Sequence, residues 1–339
     1  SFLAIVNHTD QPIGQDPGGI NAAQAADNPR SARGRNVTYD TGETMEQTRL
    51  GFVYTTPVGA SGELNARSYF VSRDFANKLP QFPVADSVDL PRDFAGVGLS
   101  YTHEGTWHSR ENRLIVGLEI DDQGDERRRF INNRGALEDL VFDQNESFES
   151  RGVFVQNELS VSEDILLTLG VRFDEVDYKV TDRFLFDGND SGSRTMDDTS
   201  PMAGISYALT PELNLFGTVS TSFETPSTTD FANPTGGGGF NQALDPQTAT
   251  NYEVGIRGTL GERHYLEAVF FTVEVDDELV PSDFDGRDFF QNAGSSTRNG
   301  LELSLISNLT DRIRTSLAYS HGNFEFEDFR VVSFDAAGT

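Results

Sequence analysis

Strands in this chain come in pairs, and the connections between them fall into two strictly alternating classes. Short joints occur at Pro57–Gly62, Thr106–Glu111, Val161–Asp164, Leu209–Glu212, Leu260–His264 and Asn308–Asp311, and long polar stretches occupy 9–45, 74–92, 124–148, 183–198, 224–248 and 280–297. A soluble sandwich or meander has no reason to sort its turns in this way. A barrel through a bacterial outer membrane does, because short turns line the periplasmic rim and long loops face outside. The chain is therefore predicted to be all-β: a transmembrane antiparallel up-and-down β-barrel.

Strands are expected at 1–8, 46–58, 62–74, 93–106, 110–124, 149–162, 163–182, 199–210, 211–224, 248–260, 262–279, 296–309 and 312–327, with no helical segment. Several alternate cleanly. Ile165, Leu167, Leu169, Val171 and Phe173 share one face, and Leu166, Thr168, Gly170, Arg172 and Asp174 the other. Such patterning does not say which face looks inward. The strand number does: about thirteen strands exceed the roughly 8 whose side chains can fill a barrel. The less apolar face is also rich in Gly, Ser, Thr, Arg and Glu, which suits a wet or plugged lumen. The apolar face is thus expected to meet lipid. An odd number of up-and-down strands cannot close antiparallel, and single-chain bacterial barrels are even-numbered. Residues 1–339 are therefore expected to be the central part of a larger barrel, with its first and last strands outside the chain.

Composition narrows function by exclusion. Hydrophobic residues make up 36% of 339, mean hydropathy is −0.43, and no run approaches the roughly 18 apolar residues of a membrane-spanning helix. A formal charge of −28 argues against nucleic acid as a partner, because neutralising phosphate takes Lys and Arg. The absence of Cys removes disulfides, thiolate metal sites and a Cys nucleophile. His8, His103, His108, His264 and His321 are scattered, and no Gly-x-Ser-x-Gly elbow is present. Acidic turns at 187–192 and 283–288 lack the distal Glu of a calcium loop and read as surface turns. Neither catalytic residues nor a resident metal or cofactor are predicted.

The stretch SPMAGISYALTPELNLFGTVSTSFETPSTTDF (200–231) is followed by FNQALDPQTATNYEVGIRG (240–258), VEVDDELVP (273–281) and FFQNAGSSTRNGLELSL (289–305). This ordered series resembles the TonB-dependent outer-membrane receptors. Their Ser-Phe-x-x-Pro-like turn matches Ser222–Pro226, their Asn-x-x-Leu-x-Pro…Asn-Tyr-Glu-x-Gly segment matches Asn241–Gly255, and their Asn-x-Gly…Gly-x-Glu element matches Asn292–Glu302. The resemblance implies a barrel of about 22 strands in the bacterial outer membrane. It also implies a ferric siderophore or similar scarce chelate as ligand, and energy supplied by the TonB complex. The plug, the segment that docks the energising partner and a C-terminal aromatic strand residue are expected to lie outside 1–339. A passive channel without energy coupling would share the same wall.

One basic cluster stands out: Arg127, Arg128 and Arg129, followed by Phe130. If the alternation of 110–124 continues, Arg127 and Arg129 share the lumenal face with Glu119 and Asp121. Guanidinium forks suit the carboxylates of an anionic ferric chelate, so Arg127, Arg129 and Phe130 are the candidate ligand contacts. The competing role is pairing with Asp122, Asp125 and Glu126 nearby.

Overall fold

The computed structural model describes residues 1–80, 86–228, 230–231, 240–261, 263–284, 287–292 and 294–329. Strand β1 (Phe2–Gln15) is followed by two short helices, α1 (Ala22–Asp27) and α2 (Gly34–Thr38). Then come β2 (Gly42–Val58), β3 (Gly62–Lys78), β4 (Asp86–Asp89), β5 (Arg92–Trp107), β6 (Arg110–Asn133), β7 (Ala136–Ser160) and β8 (Ile165–Asp182). The chain continues through β9 (Gly192–Thr210), β10 (Leu213–Glu224), β11 (Gln247–Leu260), β12 (His264–Asp276), β13 (Leu279–Phe284), β14 (Arg287–Asn292), β15 (Gly294–Thr310) and β16 (Ile313–Phe329).

All but β13 and β14 join one antiparallel sheet, in which successive strand positions pair in chain order. Strands β4 and β5 share a single position between β3 and β6, broken at Leu90–Pro91, where proline offers no ladder donor. The thirteen strand positions that remain correspond one for one to those expected from the sequence. Among the described residues β1 pairs only with β2, and β16 only with β15.

The alternation of connections is also present, with three corrections. Segment 124–148, expected to be a loop, is strand: β6 and β7 run through it to a turn at Arg134 and Gly135, whose φ angles are 51° and 93°. At about 3.4 Å per residue these strands of 24 and 25 residues reach on the order of 80 Å, more than twice a bilayer core of roughly 30 Å. Segment 280–297 holds the hairpin β13–β14 and the start of β15. Within 9–45, where no helix was expected, α1 is closed by a capping box between Asn21 and Gln24.

Large apolar side chains line up through the register on one face and are exposed there. One row runs Leu99, Leu118, Val153 and Phe173, and another pairs Val254 with Phe270, both more than half exposed. The opposite face carries the buried polar side chains Gln47, Asp125, Gln144 and Glu146. A soluble barrel would be arranged the other way round. The apolar side is the outer one, and it fits hydrocarbon.

Space on the inner face is managed by pairing aromatic rings with glycine. Phe154 faces Gly117, Phe216 faces Gly255 and Phe271 faces Gly300, each directly across from its partner. The rings lie over the bare backbone. A Cβ at Gly255 would sit 2.6 Å from Phe216 Cζ and 2.7 Å from the Ala268 carbonyl oxygen. Replacing Gly255 with alanine in the full-length barrel is expected to cost about 1–3 kcal/mol through overpacking. A urea midpoint measured in detergent, alone and combined with Phe216→Ala, checks this; the double variant should recover part of the loss.

Candidate functional site

The inner wall is crossed by side chains that skip a strand. Gly98, Glu119 and Gly152 stand in one register row across β5, β6 and β7. From β3, Arg67 lies over Gly98 and ion-pairs with Glu119. From β8, Arg172 lies against Gly152, reaching Glu119 at 2.9 Å and Asp174 at 2.6 Å. Two residues along, the Tyr69 hydroxyl donates past Gly96 to Asp121 at 2.5 Å. Strands lie about 4.8 Å apart, so next-but-one strands are roughly 10 Å apart. A polar bridge of that span forms where the middle strand presents no side chain.

Toward the long connections the wall becomes more cationic. Arg92 grips Asp125 with Nε at 2.7 Å and Nη2 at 2.5 Å, and Gln123 donates to the same carboxylate at 3.1 Å. Asp125 is only 2% exposed. Because β6 runs unbroken, Arg127 and Arg129 do fall on the face of Glu119 and Asp121. The acids they meet are not the sequence neighbours Asp122, Asp125 and Glu126. Arg127 pairs with buried Glu146 at 3.3 Å, Arg128 with Asp89 at 2.8 Å, and Arg129 with Asp86 at 2.8 Å while lying 5.8 Å from the Phe142 ring centre. Strand geometry is the reason. Asp122 and Glu126 point to the other face, and Asp125 is taken by Arg92. Phe130 sits at the register shift after Arg129, across from Ser87.

The described part of connection 225–246 folds onto this wall. The Tyr178 and Thr225 hydroxyls hydrogen-bond at 2.7 Å, and Arg194 binds the Gln242 carbonyl and Asp245. Phe231 and Leu244 are buried with Val176, Tyr178 and Met196. Between the start of this connection and the wall lies a cavity of about 420 Å³, lined by Arg92, Arg127, Phe148, Tyr178 and Pro226. Cations and aromatic faces in one recess suit an anionic, partly aromatic guest. Arg67, Arg92 and Arg172 were not singled out from the sequence, because none of them belongs to a run of basic residues. Arg92 and Arg172 carry a weak signal: each is in phase with glycine on its own strand, Gly96 and Gly98 for the first and Gly170 for the second.

The family described as TonB dependent receptor-like, beta-barrel matches residues 4–338. The chain belongs to this family. It is an outer-membrane barrel of Gram-negative type, in a family of transport receptors, not enzymes. It is similar to the metal-pseudopaline receptor CntO of Pseudomonas aeruginosa, with 28% identity over 180 residues, or 52% of this chain and 24% of that protein. It is also similar to the probable TonB-dependent siderophore receptor PiuA of Acinetobacter baumannii, with 26% identity over 183 residues, or 51% and 23%. The unliganded ferric citrate transporter FecA matches in fold with a TM-score of 0.79 at 15% identity, over 96% of this chain and 49% of that one. The chain thus spans about a quarter of the length of the curated relatives it matches.

Asp125 holds the wall together at the level of the cavity. Asp125→Asn in the full-length receptor leaves Arg92 without its counter-charge, and breaking so buried a pair is expected to cost about 3–5 kcal/mol. The thermal unfolding midpoint in detergent reads this out. Arg151→Gln, on the exposed outer face, should leave the midpoint unchanged.

Proposed function

We propose that this chain is the central part of an outer-membrane receptor that takes up a ferric siderophore or a comparable scarce chelate, energised through the TonB complex. The observation that carries this reading is the recess of arginines and aromatic rings between the inner wall and Thr225–Thr228, at the end of β10 where a long connection begins. A simple pore needs a polar lining, but it has no use for a recess that gathers cations and aromatic rings. Arg127 lines that recess and, with Arg129 and Phe130 beyond it, is assigned contact with the chelate. The relatives CntO, a metal-pseudopaline receptor, and PiuA, a probable siderophore receptor, support the chelate as ligand class. Among the described residues the outer edges of β1 and β16 have no partner strand, and unpaired backbone groups in lipid cost several kcal/mol each. Flanking strands are therefore assigned to the remainder of the polypeptide, together with a lumenal plug through which the TonB complex would act.

Deleting the gene for the full-length receptor should abolish receptor-dependent radioiron uptake from its chelate under iron starvation, and plasmid expression should restore it. Dissipating the proton gradient should stop the restored uptake. Uptake that survives loss of the gradient would place the protein among passive channels.

A further inference from the structure

We propose that Arg73 is the centre of an anion subsite on the inner wall and that it takes a carboxylate of the transported chelate; this rests on the transport reading above. Arg73 of β3 lies directly across from Arg92 of β5, two like charges at one register position. Such a pair is destabilising unless an anion joins it. Arg92 has its anion in Asp125, and both oxygens of that carboxylate are already engaged by Arg92 and Gln123. Arg73 forms no ion pair among the described residues, and its Nε is buried without a hydrogen-bond partner. Its contact is the Phe75 ring, with the guanidinium 5.8 Å from the ring centre.

The surroundings repeat the imbalance. On the other side of Arg73, across β2, stands Gln47, and two residues from Gln47 on the same face stands Arg49. Arg49 donates from Nε and Nη2 to the Gln47 amide oxygen at 2.7 Å once that amide is turned to face it, and it too forms no ion pair among the described residues. Arg49, Arg73, Arg92 and Arg127 thus face two carboxylates, Asp125 and Glu146, in a chain that is otherwise strongly acidic.

Height decides which anion is meant. On the outer face, the last apolar residue before polar ones begin toward the long connections is Phe70 on β3, Ala95 on β5 and Ile120 on β6. At the next outward-facing positions toward the long connections the residues are Ser72, Asp93 and Asp122. Arg73 is therefore at the outer rim of the lipid-facing band, where a solute arriving from outside meets the wall. A planar fork with a free edge binds a carboxylate through two parallel hydrogen bonds. Arg92 and Arg127 line the 420 Å³ recess, so a chelate seated there has Arg73 at its flank.

The test uses the full-length receptor in detergent, with citrate as a tricarboxylate probe and chloride to hold ionic strength constant. Citrate should raise the unfolding temperature of the wild type. Arg73→Gln should weaken the apparent citrate affinity by about tenfold or more, the loss of a charge-assisted pair, and Arg73→Lys should retain most of it. If Arg73→Gln does not assemble, Arg49→Gln gives the second reading, and it should weaken citrate in the same direction. No citrate response in the wild type, or an equal response in Arg73→Gln, overturns the subsite. So does an Arg73→Gln receptor that is less stable without citrate yet responds normally to it, because the counter-ion is then a carboxylate of the receptor itself. Citrate protection that depends on Arg73, in a receptor that imports no iron, would keep the anion subsite and overturn the transport reading instead.

Discussion

Glu119 is the point from which the inner wall is organised. It receives a guanidinium from each side, Arg67 across β5 and Arg172 across β7, and both approaches depend on a missing side chain at Gly98 and Gly152. In a soluble protein a curved sheet is held by apolar side chains packed on its inner face. Here that face is largely polar and the apolar one is outside, so ion pairs join the ring–glycine contacts in holding the strands together beyond the backbone ladder. Partly buried pairs of this kind add little net stability when intact but are costly to break. They act as positional constraints: register and curvature must be right for three strands at once.

The same economy shapes the outer part of the wall. Asp125 and Glu146 are buried and paired with Arg92 and Arg127, whereas Arg73 and Arg49 form no ion pair among the described residues. The acidic surplus of the chain lies elsewhere: Asp122, Glu149 and Asp177 stand in one row on the outward face. Opposite signs on the two sides of one sheet set up a field that repels anions from the outside of the barrel and favours them within.

Much of the fold was legible in the sequence because two independent signals agree along it. Period-2 patterning marks each membrane-crossing strand, and the short joints mark every second turn, so all thirteen positions were placed. What escaped had physical reasons. Beyond the lipid both faces of a hairpin can be polar, so Glu126–Asn133 and Glu138–Asn145 carry no hydrophobic alternation and read as loop. Helix α1 has six residues and buries none of them, leaving only its capping box as a trace. At the candidate site, parity put Arg127 and Arg129 on the correct face, but their partners Glu146 and Asp86 come from other strands. Register between strands is a property of pairing, and no local pattern encodes it.

Most pairings in the large sheet join elements adjacent in the chain; β3–β5 and β4–β6 skip one short strand of a shared position, and β12–β15 skips the hairpin β13–β14. Loop-closure entropy at each step is therefore small. Such a meander can grow hairpin by hairpin, each new ribbon templated on the edge laid down just before it. The growing edge stays open throughout, so during biogenesis it has to be sheltered from water and from other nascent chains until the next hairpin covers it.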